Sequence, residues 1–281
     1  MGLMTPLHAP WRDRAGRGSA LRILTLAVMI LPALRLFQLW AMEELGPEPL
    51  EAATHETGRW AIRLLIASLA VTPLGRILNW PKLFQLRRMI GLGALAWVLL
   101  HFVLYIGDQN WRLLRVAIEI ASRVYLVIGF TALVGLVVLG WTSTDGWMKR
   151  LGRGWKRLHR IIFPVALLGL LHAFIQSKTD VSQGVVLAGL LVWLLAWRAL
   201  PGRWQTSLAA LALLSLGALL GAVLIEFLWY ALATNLPAAR ITAANLDLTF
   251  GPRPAVLSGM IAAGFVLLAA LRRLAGKRPS A

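Results

Sequence analysis

The chain has 281 residues, of which 58% are hydrophobic and only 15% charged, whereas soluble domains carry about 45–50% apolar residues and about 25% charge. Its apolar residues come in long blocks, which a hydrocarbon interior requires and a globular core of this size does not. It has no cysteine, excluding disulfides, thiolate zinc sites and cysteine-ligated iron–sulfur clusters, and its net charge of +17 falls between apolar blocks, a topology signal and not a nucleic-acid surface.

The first 20 residues read as a basic cytoplasmic tail. The apolar block that follows has no small-residue cleavage site, so it is expected to be a retained span and not a signal peptide. Eight blocks follow in order: Leu21–Trp40, Trp60–Leu78, Met89–Ile106, Val124–Trp141, Ile161–Ile175, Val185–Leu200, Leu208–Leu232 and Val256–Leu271. Each approaches the roughly 20 residues that cross about 30 Å of hydrocarbon as helix. Backbone groups in lipid must be satisfied within the segment, and the alternation of barrel strands is absent, so the expected class is all-α, a polytopic helix bundle.

Lysine and arginine set the orientation. Arg12, Arg14, Arg17 and Arg22 precede or open span one, and Arg76, Lys82, Arg87 and Arg88 lie between spans two and three. The stretch from Lys149 to Arg160 joins spans four and five, and Arg272, Arg273, Lys277 and Arg278 close the chain. Glu43, Glu44, Glu48, Glu51 and Glu56 crowd the opposite side in the first outer loop, where His55 also falls. Both termini are therefore expected in the cytoplasm. Arg112, Arg115 and Arg123 break the rule, and the pattern around them (Leu113, Leu114, Val116, Ile118, Ile120) suits an amphipathic helix lying at the interface. Gly91-Leu92-Gly93 sits inside a span, follows no strand and lacks a third glycine, so it is no dinucleotide fingerprint. No internal repeat is visible.

Ionisable groups inside a bilayer are costly and usually functional. Of five histidines, His8 is in the tail, His101 lies within span three, His159 opens span five and His172 lies within span five. Spans three and five enter from the same side. From Arg88 to His101 is about 20 Å of helix rise, and from Arg160 to His172 about 18 Å. The two imidazoles thus share one depth, an arrangement that suits six-coordinate haem iron with one ligand from each side. The other reading has each histidine bonded to a polar group across a helix interface. His159 lies at the inner edge and, on an ideal helix, points about 140° away from His172 unless Pro164 alters the winding. It either ligates a second haem, contacts a flavin or quinone, or caps the interface. Zinc is disfavoured because three or four ligands would have to converge within about 2 Å of one ion.

Arg35, Arg59 and Arg63 come close to the proposed haem depth and either bind propionates or snorkel to headgroups. At the inner face Arg87 and Arg88, opposite Lys156 and Arg157, either hold a flavin phosphate or quinone headgroup or serve as topology signal. Glu226 in span seven needs a partner that the sequence does not name.

Several stretches resemble a known family, MsrQ (YedZ), within the ferric-reductase-like transmembrane superfamily. They are Thr54-His55-Glu56-Thr57-Gly58-Arg59-Trp60-Ala61-Ile62-Arg63, Leu69-Ala70-Val71-Thr72-Pro73-Leu74, Leu86-Arg87-Arg88-Met89-Ile90-Gly91-Leu92 and Leu99-Leu100-His101-Phe102. The most specific is Thr142-Ser143-Thr144-Asp145-Gly146-Trp147, running on through Leu151-Gly152 to Trp155-Lys156-Arg157-Leu158-His159-Arg160. The resemblance covers roughly residues 21 to 200 and implies a six-span haem b subunit of the bacterial inner membrane, associated with FMN. It implies electron delivery from the quinone pool, or from a cytoplasmic flavin reductase, to a periplasmic molybdopterin methionine sulfoxide reductase subunit that acts on oxidised proteins. The family's haem histidines match His101, His159 and His172, and Arg88 stands where larger members of the superfamily have a fourth. The Arg-Pro-Tyr usual before span four reads Arg123-Val124-Tyr125. Residues 201–281, with two further spans and a basic tail, lie outside the family core. Two other readings stay open: a transmembrane metal reductase acting on ferric iron, and a non-redox transporter or scaffold with structural histidines.

Overall fold

The computed structural model describes residue 11 and residues 17–177, 180–249 and 251–275. The tail charges Arg12, Arg14, Lys277 and Arg278, and His8, lie outside the described residues. Twelve α-helices follow in order: α1 (Ala20–Ala41), α2 (Pro49–Ile77), α3 (Leu86–Asp108), α4 (Leu113–Ser122), α5 (Val124–Trp141), α6 (Asp145–Leu151), α7 (Arg153–Leu158), α8 (Ile162–Ser177), α9 (Ser182–Ala199), α10 (Leu208–Ala233), α11 (Ala238–Ala243) and α12 (Pro254–Ala275). No strand occurs among the described residues. Eight of these helices, α1, α2, α3, α5, α8, α9, α10 and α12, are long and apolar enough to cross a membrane, some with a short 3₁₀ or helical lead. The chain is a multi-pass membrane protein.

The eight helices correspond to the eight apolar blocks, with one instructive difference. α2 begins at Pro49, well before its apolar block, so His55 is helical and not in an outer loop. Proline fits the first helical position because its fixed φ suits a helix and its missing N–H has no partner there anyway. The polar first turns are then held by side chains three and four residues apart. His55 faces Glu51 at 3.5 Å, and Arg59 meets Glu56 at 2.6 Å. Helix persists where hydrophobicity does not.

α4 is the short amphipathic helix expected from the pattern. Val116 is buried, Leu113, Leu114 and Ile118 are exposed, and Arg115 and Arg123 both lean on Glu119 at 3.6 and 3.5 Å. That pairing explains how arginines are tolerated on a side with little other positive charge.

The packing falls into three groups. α2 lies along α3, α5 lies against α8, and α9, α10 and α12 form a third cluster that meets the rest through α2 and α8. Without a hydrophobic drive between helices in lipid, close approach depends on small residues. The third cluster uses Ala218 and Ala222 of α10 and Ala255, Ser258 and Ala262 of α12, all 0% exposed. Ala218→Leu is expected to force these backbones apart and cost about 1–3 kcal/mol by overpacking, read as a lowered midpoint of thermal unfolding in detergent. An unchanged midpoint would show that the contact has slack. At the end of the bundle carrying most arginines, here the basic end, Arg198 of α9 donates to the carbonyls of Leu194 and Leu69 at 2.6 Å each, tying α9 to α2.

Candidate functional site

His101 on α3 and His172 on α8 meet between the first two helix groups, near the end opposite the basic one. Their ring centroids are 6.3 Å apart and their planes lie at 79°. Each is fixed by a main-chain carbonyl on the antiparallel partner of its own helix. His101 Nδ1 donates to the Thr54 carbonyl of α2 at 2.8 Å, and His172 Nδ1 donates to the Tyr125 carbonyl of α5 at 2.9 Å. A carbonyl can only accept, so Nδ1 must carry the proton in both rings, and in the neutral ring the lone pair is then on Nε2. Holding the far nitrogen in this way is how proteins orient metal-ligating histidines.

Space for the imidazoles comes from two glycines. A Cβ on Gly58 would lie 3.1 Å from His101 Nδ1, and one on Gly129 would lie 2.7 Å from His172 Nδ1. Each glycine stands one helical turn after the accepting residue, and each acceptor precedes its histidine by the same 47 residues. The carbonyl–glycine–histidine unit therefore occurs twice, once on α2 and α3 and once on α5 and α8. Sequence reasoning missed this repeat because backbone acceptors leave no residue signature. The equal spacing from Gly58 to His101 and from Gly129 to His172 was the available signal.

The pair fits an ion that takes one imidazole from each side. With each Nε2 about 2 Å from a metal, the ring centroids should stand about 6 Å apart, as they do here. Near-perpendicular planes are compatible with this, since each ring can turn about its own metal–nitrogen bond. Among the described residues no three His, Asp or Glu side chains gather into a metal-binding group. Two neutral donors with no carboxylate are the donor set of a metal that brings its remaining ligands with it, as iron in a porphyrin does. Phe102 and Phe130, one residue from His101 and Gly129, bring their rings within 5.9 Å of each other between α3 and α5.

His159 does not join them. A 3₁₀ turn, His159–Ile161, precedes α8, so the ideal-helix angle between His159 and His172 does not apply. Gly152, at φ +50°, lets the chain double back between α6 and α7, and this returns Trp155 to the end of α5. There its indole donates to the Thr142 carbonyl at 2.8 Å and stacks on the His159 ring at 3.9 Å, while His159 Nε2 lies 3.2 Å from Thr142 Oγ1. No second histidine faces it among the described residues. Arg88 is salt-bridged to Asp145 at 2.7 Å across the basic end. Arg87, Lys156 and Arg157 are exposed nearby.

Of the proposed propionate arginines, Arg59 is engaged by Glu56, and Arg63 by Gln183 at 2.6 Å and by the face of Trp60 at 5.0 Å. Arg35 is exposed on α1. Glu226, whose partner the sequence did not name, is 2% exposed and accepts from Asn245 Nδ2 at 2.5 Å, with Arg253 at 3.9 Å.

A membrane helix bundle whose paired histidines are anchored to neighbouring helices is the architecture of a ferric-reductase-like transmembrane component, and the chain matches the family of that description over residues 57–170. The protein-methionine-sulfoxide reductase heme-binding subunit MsrQ of Xanthomonas campestris pv. campestris (strain 8004) is 40% identical over 61% of this chain and 82% of the relative. That of Rhodospirillum rubrum is 39% identical over 68% of this chain and 90% of the relative, and that of Xanthomonas oryzae pv. oryzae (strain MAFF 311018) 38% over 62% and 81%. The chain belongs to the MsrQ family. No solved structure matches it.

Proposed function

We propose that this chain is the haem b electron-transfer subunit of a methionine sulfoxide reductase system in the bacterial inner membrane, with both termini cytoplasmic. It passes electrons from the quinone pool to a periplasmic molybdopterin subunit that repairs oxidised proteins. The observation that carries this reading is the His101–His172 pair, two neutral imidazoles presenting Nε2 across one gap. The relatives' shared name for a heme-binding subunit supports it.

His101 and His172 would hold the haem, which would supply one-electron transfer there. The chain's own residues do the rest. Thr54 and Tyr125 hold the tautomer through their carbonyls, and Gly58 and Gly129 leave room for the rings. Residues 21–200 form the haem-binding core in this reading, and residues 201–281 are an addition to it. Arg35, Arg59 and Arg63 are the arginines proposed to meet propionates, Arg59 and Arg63 sharing Glu56 and Arg63 also donating to Gln183. At the basic end, His159 with Arg87, Lys156 and Arg157 forms the contact for the electron donor, a quinol headgroup or an FMN phosphate, in place of a second bis-histidine haem, whose position Arg88 occupies. The catalytic site for the sulfoxide belongs to the partner.

An absorption spectrum of the purified protein with pyridine extraction tests the haem, and flavin release tests FMN. His159→Ala is expected to keep the Soret band while slowing reduction of the haem by quinol about tenfold or more, the usual scale for losing a positioned polar contact. Loss of the band in that variant would instead make His159 an axial ligand. A redox-silent spectrum in the unaltered protein removes the whole reading and favours a transporter or scaffold.

A further inference from the structure

Outside the histidine site the most unusual feature is a buried polar cluster under the connection between α10 and α12. Glu226 lies there with Asn245, itself 6% exposed, and with Arg253 just before α12. Asn245 Oδ1, Thr242 Oγ1 and Arg253 Nε are buried and have no hydrogen-bond partner among the described residues. Buried polar atoms are normally satisfied, and an orphaned group asks for an explanation such as a bound molecule. Here three lie around one carboxylate, two of them acceptors and one a donor, and Arg253 leads outward with its side chain 38% exposed.

One turn further along α12 a groove begins. It has a volume of about 630 Å³ and runs between α10 and α12 from Val256 towards Ala270, walled by Ala212, Leu219, Gly259 and Ala263. Glu226 continues the stripe of α10 that passes through Ala212, Ser215 and Leu219. The groove's lining ends at Leu219 and Val256, so the apolar groove and the polar cluster lie end to end along the seam of α10 and α12.

We propose that this is a binding site for a zwitterionic phospholipid with a primary ammonium headgroup. An acyl chain lies in the groove, the phosphate meets Arg253, and the ammonium donates its three N–H groups to Asn245 Oδ1, Thr242 Oγ1 and the Glu226 carboxylate. The headgroup chemistry follows from the orphaned atoms. An anionic lipid has no ammonium to offset Glu226 and adds net negative charge beside it, and a trimethylated headgroup has no N–H to give. Under the proposed orientation the site opens to the periplasmic leaflet, and its lipid tail fills the seam of the hairpin that lies beyond the haem core.

The test is native mass spectrometry of the full-length protein in nanodiscs, then stripped by detergent, with phosphatidylethanolamine, phosphatidylcholine, phosphatidylglycerol or ubiquinol supplied in turn. The ethanolamine lipid is expected to be retained about tenfold better than the choline or glycerol lipids, the scale of one hydrogen bond to a charged group. Arg253→Ala and Asn245→Leu should each abolish that preference. Ala263→Trp, at an exposed wall of the groove, should lower retention of all phospholipids with an unchanged melting temperature, and it keeps the test open if a cluster variant fails to fold. Equal retention of the three phospholipids, preferential retention of ubiquinol, or no effect of Ala263→Trp would each overturn the proposal. Haem content plays no part in the readout.

Discussion

Replacing either His101 or His172 by alanine is expected to remove the Soret band from the purified protein. Among the described residues these two rings meet between α3 and α8 with no further His, Asp or Glu gathered beside them, and each enters from a different helix pair. Losing a partner that merely orients a ligand commonly costs 10- to 100-fold in metal affinity, so losing the ligand itself should leave less than about one-tenth of the haem after purification. Helix content measured by circular dichroism should be unchanged in both variants, since each side chain is surrounded by spans whose packing rests on other residues. Added imidazole should partly restore the spectrum, because a freed Nε2 position can be filled from solution. A full-strength band in both alanine variants would sink the assignment of these residues and, with it, the electron-transfer reading.

The second large effect is expected from a residue with no side chain. Gly129→Ala places a methyl carbon 2.7 Å from Nδ1 and 2.8 Å from Cε1 of His172, inside contact distance, so the imidazole must turn or α5 must move away. Either change breaks the bond to the Tyr125 carbonyl that sets the tautomer. Haem retention should drop about tenfold, and what remains should show a shifted midpoint potential and altered low-spin resonance signals. Gly58→Ala is the built-in comparison. Its added carbon would stand 3.1 Å from His101 Nδ1, a distance a small adjustment absorbs, so its effect should be clearly the weaker. Equal effects of the two substitutions would mean that steric displacement of the ligands is not the cause.

Much of this fold is legible from hydrophobicity because lipid demands it: a span must be apolar over its length, and all eight blocks returned as helices. The start of α2 was not legible by that rule, since Glu51, His55, Glu56 and Arg59 carry no apolar signal and their helix is held by charge pairs. The meeting of His101 and His172 was legible, because helix rise converts residue number into depth when two spans enter from one side. What holds the histidines was not, for Thr54 and Tyr125 act through atoms that every residue possesses. The fate of Arg59 was readable in principle, as Glu56 stands three residues before it. The surroundings of Glu226 were hidden because Asn245 and Arg253 arrive from a loop whose path no local pattern dictates.

The backbone anchoring of both imidazoles has an evolutionary corollary. Since Thr54 holds His101 through its carbonyl, its side chain is free to drift under selection for other tasks, and alanine there should leave that ring's orientation intact, whereas the Tyr125 ring also stacks on His172 at 6.4 Å. The information that fixes the two imidazoles is then stored in helix register and in two missing methyl groups. A comparison of residue types at Thr54 alone would mistake it for a dispensable position.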